Sequence, residues 1–225
     1  MNRYLTEPEQ ARLLDVLKRN SGDPLAARDY AWVRALRHSG LRIREFSLIT
    51  VGDALAALRS GYLYIPKAHR KGRHKDHSVY LTAALREAVE DLLSRRVGHG
   101  VPDLHEDEPL VVSRQRAGLS VSMTVRNYQL RLAHWAAEAG LPAGVSPHWL
   151  RHTRAMNIMR NSTASDPRGV VQSALGHADI RSSGVYTQTP REDVEAALDE
   201  IDQPPRSRRV TPAMLRRAYE GRAAA

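Results

Sequence analysis

The chain has 225 residues, 26% of them charged and 42% hydrophobic, a balance too apolar for global disorder and long enough for one sizeable core or two small ones. Lys and Arg number 34 against 25 Asp and Glu, a formal charge of +9 that favours a polyanionic partner without choosing a fold. The absence of cysteine excludes disulfides, thiolate chemistry and cysteine-based zinc sites.

No apolar run approaches the roughly 20 residues needed to span a bilayer. The start, MNRYLTEPEQARLL, is charged and lacks a signal-peptide core. A soluble, cytoplasmic protein is therefore expected.

Helical patterning dominates. Thr6-Glu7-Pro8-Glu9 is a capping-box sequence, followed by the apolar stripe of Leu13, Leu14 and Leu17. Asp23-Pro24 opens a second helix that runs through Trp32, Val33 and Leu36 to a stop at Gly40. A short third helix is expected across Ile43 to Leu48. Gly61 to Ile65 and His77 to Leu81 are short runs of β-formers around the basic stretch PKAHRKGRHKD, which predicts a hairpin with a long basic tip, joined by a strand near Val51. Thr82 caps a helix reaching about Arg96, and a Gly/Pro/acid loop leads to a long helix from about Ser120 to Ala139, stopped by Gly140. Ser146-Pro147 opens a helix carrying His148 and Arg151, and short helical pieces run on through Leu175, Tyr186 and Pro190 to Ile201. QPPRSRRVTP then reads as a linker and AMLRRAYEGRAAA as a short terminal helix. The expected fold class is α+β, mainly α-helical with one small antiparallel β-sheet, as one domain over residues 1–202 with a basic tail over 203–225.

Four separated segments carry the chemistry. SGLRIREF holds Arg42 after a glycine stop, with Glu45 one turn on. The basic hairpin supplies Lys67, Lys71 and Lys75. SPHWLRHT sets His148 and Arg151 three apart, on one helical face. ALGHADIRSSGVYTQ places His177 nine residues before Tyr186.

This ordered set closely resembles the tyrosine recombinase (phage integrase) family, over about Leu5 to Ile201. Its signature is an arginine in T/S-G-L-R-x-x-E, a hairpin lysine, H-x-L-R-H, L-G-H, and a tyrosine nine residues later. The resemblance implies the tyrosine-recombinase catalytic-domain fold and site-specific strand exchange through a 3′-phosphotyrosine intermediate and a Holliday junction, without ATP, metal or any other cofactor. Arg42 and Arg151 would clamp the non-bridging phosphate oxygens. His148 and His177 would donate hydrogen bonds or move protons, and Tyr186 would attack phosphorus. The family's hairpin lysine protonates the leaving 5′ oxygen. RKGRHKDHSVYL fits the family's K-G-x-K-x-R-x-V-P-L pattern with one residue inserted, which favours Lys71, with Lys67 as its rival. Tyr80 stands in place of that pattern's proline.

Other residues take supporting readings. Glu45 would hold Arg42 or a neighbour. Arg70, Arg73 and Lys75 are either phosphate contacts or a solvated tip. His148 and His152 lie i,i+4, but Trp149 replaces the glutamate of a metalloprotease helix and no third ligand is credible, so no metal is expected. Tyr62, Tyr64, Tyr80 and Tyr219 read as half-buried structural tyrosines. The family resemblance also implies double-stranded DNA as partner and a homotetramer on it, leaves open accessory DNA-bending proteins, and gives no membrane role. Typical members carry an N-terminal helical DNA-binding domain; here the catalytic pattern begins almost at Met1, so that domain is expected to be missing, in a short natural form or a fragment. Met214 and Leu215 of the tail would dock on a subunit, or the tail is a disordered basic end. The competing functions are type IB topoisomerase-like relaxation and a non-catalytic DNA-binding regulator.

Overall fold

The amide of Thr6 donates to Glu9 Oε2 at 2.7 Å and opens α1 (Glu7–Arg19). In this computed structural model, which describes residues 4–72, 75–97, 105–113 and 121–176, the elements that follow are equally local in origin. The Asp23 carboxylate accepts from the Ala26 amide at 2.8 Å ahead of α2 (Pro24–Ser39), and Gly40, at φ 64°, closes it in the left-handed conformation that glycine adopts without a Cβ penalty. A five-residue α3 (Ile43–Ser47) follows.

The expected strand near Val51 is instead the start of α4 (Val51–Ser60). The Thr50 hydroxyl accepts from the Asp53 amide at 3.1 Å, and the Asp53 carboxylate accepts from the Thr50 amide at 3.0 Å. That reciprocal capping box outweighs the β-branched texture of I-T-V. Thr50 makes only an isolated bridge to Pro109.

Strands β1 (Tyr62–Ile65) and β2 (His77–Tyr80) pair antiparallel, with Tyr62 opposite Tyr80 and Ile65 opposite His77. Their alternation puts Leu63, Ile65 and Val79 on the core. Tyr62, Tyr64 and Tyr80 stand on the opposite face, more exposed than the half-burial expected of them, because the alternation turns them away from the core. After α5 (Ala83–Val97), the helix expected from about Ser120 begins later, as α6 (Val125–Glu138). Thr124 accepts from the Asn127 amide at 3.2 Å, whereas Met123 donates its amide to the Val111 carbonyl at 3.1 Å and so belongs to an extended pairing. Helices α7 (Pro147–Asn161) and α8 (Pro167–Leu175) complete the described elements. The architecture is thus mainly helical with one small two-stranded antiparallel sheet among the described residues.

Fully buried Trp32 of α2 packs edge-on against Tyr128 of α6, centroids 5.0 Å apart, and Tyr128 meets Phe46 of α3 at 6.0 Å. This aromatic chain fixes α3 from behind, leaving its N-terminus to face outward. A smaller cluster of Ala155, Met156, Val171 and Leu175, joined by Tyr4, packs α8 and the N-terminal segment onto α7. Arg73, His177, Tyr186, Met214, Leu215 and Tyr219 lie outside the described residues, as do the helical pieces expected beyond Gly176 and the whole tail. Among the described residues no helix is long and apolar enough to cross a membrane.

The buried Asp29 carboxylate ties α2 to α6. It accepts from the indole N–H of Trp32 and of Trp135, both at 2.9 Å, and is flanked by Arg28 and Arg131. Asp29→Ala removes this shared acceptor and is expected to cost about 3–5 kcal/mol, the scale for breaking a buried charge pair. Urea unfolding checks this, and a loss below about 1 kcal/mol would show that the network is not structural.

Candidate active site

The left-handed turn at Gly40 ends α2 and delivers Arg42 to the N-cap of α3. Its amide donates to Glu45 Oε2 at 3.0 Å, and its Nη1 donates to Glu45 Oε1 at 2.9 Å. Glu45 is buried, whereas the Arg42 side chain remains one-third exposed. The carboxylate therefore orients the guanidinium while leaving part of its fork open.

Arg151 comes from the second turn of α7 and is only 2% exposed. Its Nη1 donates to the Gly40 carbonyl at 2.6 Å and its Nη2 to the Leu175 carbonyl at 2.9 Å. One turn earlier, His148 sits at the helix's exposed start, its ring edge-on to His152 with centroids 4.2 Å apart. Partial desolvation, then the charges of Arg151 and Arg42, lower the His148 pKa below the usual imidazole value. At neutral pH it is a neutral ring with one N–H to donate and one nitrogen to accept a proton.

Arg42, Glu45, Lys71, His148 and Arg151 line one open cavity of about 780 Å³. Lys71 is part of that wall. Lys67 begins a 3-10 turn (Lys67–His69), its amide held by Asp76 Oδ1 at 2.7 Å, and is not among the lining residues. Lys75 is exposed farther along the tip. Among the described residues no three His, Cys, Asp or Glu side chains gather as a metal would require.

Arg70, expected as either a phosphate contact or part of a solvated tip, is not solvated, and it too lines the cavity. It is buried, and its guanidinium donates to the carbonyls of Lys75, Asp76 and Gly176. His77, which the sequence reading passed over, turns inward from β2 and sets Nε2 3.2 Å from the Ala174 carbonyl. The signal for His77 was the strand alternation it shares with Val79; its partner, 97 residues on, had none.

Burial lowers two other histidines to about 4: His152, helped by the charges of His148 and Arg151, and His38, helped by Arg37, Arg154 and Arg34. Unfolded imidazoles titrate near 6.5, so between about 4 and 6.5 the unfolded chain binds more protons than the folded one. This contribution to stability is complete above pH 6.5 and shrinks as pH falls toward 4. Thermal unfolding is expected to lose more of its midpoint between pH 7 and 4.5 in the wild type than in a His38→Gln/His152→Gln double variant. Equal losses would contradict it.

The geometry has counterparts in known proteins. The phage integrase family matches residues 3–193. Tyrosine recombinase XerC of Neisseria meningitidis serogroup C is 32% identical over 198 residues, covering 88% of this chain and 58% of the relative. XerC of Vibrio campbellii is 31% identical over 201 residues, covering 89% and 58%. The chain thus spans less than three fifths of the length of these curated relatives. Among solved structures, XerA recombinase superposes with a TM-score of 0.66 at 23% identity, over 91% of this chain and 65% of that one. XerH site-specific recombinase, in a post-cleavage complex with palindromic difH substrate, gives 0.65 at 21% identity, over 88% and 53%. These superpositions show a shared fold, and with the match over residues 3–193 they establish that this chain belongs to the phage integrase, or tyrosine recombinase, family.

Proposed function

We propose that the chain is the catalytic part of a site-specific DNA recombinase, a soluble cytoplasmic protein that breaks and rejoins strands of double-stranded DNA as a homotetramer. Residues 1–202 form its catalytic domain and 203–225 a basic tail. The observation that carries this reading is the convergence of Arg42, Arg151, His148 and Lys71 on one cavity in which Glu45 is the sole carboxylate among the described lining residues. Such a wall suits a phosphodiester, whose non-bridging oxygens gain negative charge during transfer. The DNA-bound state of the XerH structure accords with it.

In the proposed reaction the Tyr186 oxygen attacks phosphorus and the bond from phosphorus to the 5′ oxygen breaks. The phenolic proton passes to a neutral imidazole, His148 or His177. Lys71 protonates the departing 5′ oxygen, leaving a 3′-phosphotyrosine and a free 5′-hydroxyl. Arg42 and Arg151 hold the two non-bridging oxygens. Glu45 does not react; it keeps the Arg42 fork aimed. The phosphotyrosine conserves the energy of the broken ester, so a second 5′-hydroxyl rejoins the strand by the reverse step. The family resemblance gives no metal role, and the donor set above serves the charge with guanidinium groups.

Nicked duplexes with a randomised centre, from which covalent adducts are captured, test this. Wild type is expected to form an adduct that survives EDTA, and Tyr186→Phe to form none. Capture of no adduct by the wild type would end the catalytic reading. Sequence-independent relaxation of a supercoiled plasmid would replace it with a topoisomerase. Arg42→Ala is expected to slow single-turnover cleavage about 10²–10³-fold, the scale for loss of one transition-state donor. Binding of the same duplexes is expected to weaken steeply as salt rises.

A further inference from the structure

Three consecutive carbonyls at the C-terminal end of α8 are taken by side chains from other segments. His77 Nε2 lies 3.2 Å from the Ala174 carbonyl, Arg151 Nη2 donates to that of Leu175 at 2.9 Å, and Arg70 Nη2 donates to that of Gly176. The last carbonyls of a helix lack intrahelical donors and form its negative pole, so cationic donors are favoured there. Arg70 reaches further than its two neighbours. Its Nη1 donates to the carbonyls of Lys75 at 2.8 Å and Asp76 at 3.2 Å, and its Nε faces Glu45 Oε1 at 3.8 Å. One buried guanidinium therefore joins the hairpin, the end of α8 and the carboxylate that aims Arg42.

Gly176 makes this approach feasible. Its φ is 62°, and a Cβ there would lie 2.5 Å from Arg70 Nη2 and 2.8 Å from the His77 ring. Any larger residue would displace both donors. The next residue in the chain is His177.

We propose that Arg70 is a positioning residue that clamps the basic hairpin to the C-terminal end of α8, setting the hairpin lysine in fixed relation to Arg42 and Arg151. The role rests on the strand-cleavage reading above. It differs from that of a phosphate contact reaching out from the tip, because an Arg70 that swung out to DNA would abandon three carbonyls, among them that of the part-buried Gly176.

The experiment uses the full chain and duplexes captured from the randomised pool. Single-turnover cleavage at saturating DNA, DNA affinity against salt, and thermal melting are compared for wild type, Arg70→Lys, Arg70→Met and Gly176→Ala. Arg70→Met is expected to lower the cleavage rate about 10–100-fold, the scale of a small misplacement of reacting groups, while affinity changes less than about threefold. Arg70→Lys keeps the charge but cannot serve both the hairpin and α8, and falls between Met and wild type. Gly176→Ala reproduces the rate loss by expelling the guanidinium. An unchanged saturating rate in Arg70→Met overturns the clamp, as does weaker binding with a salt slope reduced by about one, the mark of a lost phosphate contact. Should Arg70→Met melt below the assay temperature, Arg70→Lys decides, and a wild-type rate there overturns the clamp. If the wild type captures no duplex, strand cleavage itself fails and the clamp falls with it; wild-type capture with unaffected variants removes the clamp alone.

Discussion

A buried guanidinium is expensive unless its N–H groups meet acceptors, and Arg151, only 2% exposed, donates to carbonyls at the ends of two helices. Gly40 closes α2 and Leu175 is the last residue of α8, so both carbonyls belong to negative helix poles. One cation from α7 thereby draws two helix termini together. The closeness is visible in Gly40, where a Cβ would sit 2.5 Å from the Leu175 side chain and 3.2 Å from Arg154 Cγ. Everything around the cavity takes its position from that junction, because Arg42 follows Gly40 by two residues and the L-G-H segment begins at Leu175.

The same arrangement sets the cavity's charge. Glu45 is shared between the Arg42 guanidinium and the more distant Nε of Arg70. Arg151 donates one bond from Nη1 and one from Nη2 to carbonyl dipoles. Among the described lining residues, Arg42, Arg44, Arg70, Lys71 and Arg151 stand against the one carboxylate of Glu45, the excess of positive charge that preorganised stabilisation of an anion requires. Partial desolvation, and then the charges of Arg151 and Arg42, lower the pKa of His148 and keep it neutral at neutral pH, able both to donate and to accept.

The scaffold behind the site is more conventional. The Trp32–Tyr128–Phe46 chain and the Asp29 network fix α2, α3 and α6 to one another, so the turn bearing Arg42 is supported by a rigid core. The hairpin is less embedded, with one face open to solvent. Arg70 from its tip and His77 at the start of β2 tie it to the end of α8.

Local chemistry made much of this readable from residues alone. The Thr6–Glu9 box, the Asp23 cap, the stop at Gly40 and the two β-rich runs depend on neighbours within a few positions, and all appear in the structure. The ordered motifs carried the resemblance to the family, which the match over residues 3–193 bears out. Where the reading failed, competing local signals or distant partners were responsible. Val51 looked like a strand residue until the Thr50–Asp53 box opened a helix, and Met123 was drawn from its helix by Val111. Arg70 resembled any other charge in a basic tip, yet its bond to Gly176 spans 106 residues. The sequence by itself determined which side chains carry charge, protons and turns. Tertiary structure alone decided which cations line the cavity and which of these also hold helix ends, as Arg70 and Arg151 do, since that depends on where distant carbonyls come to rest.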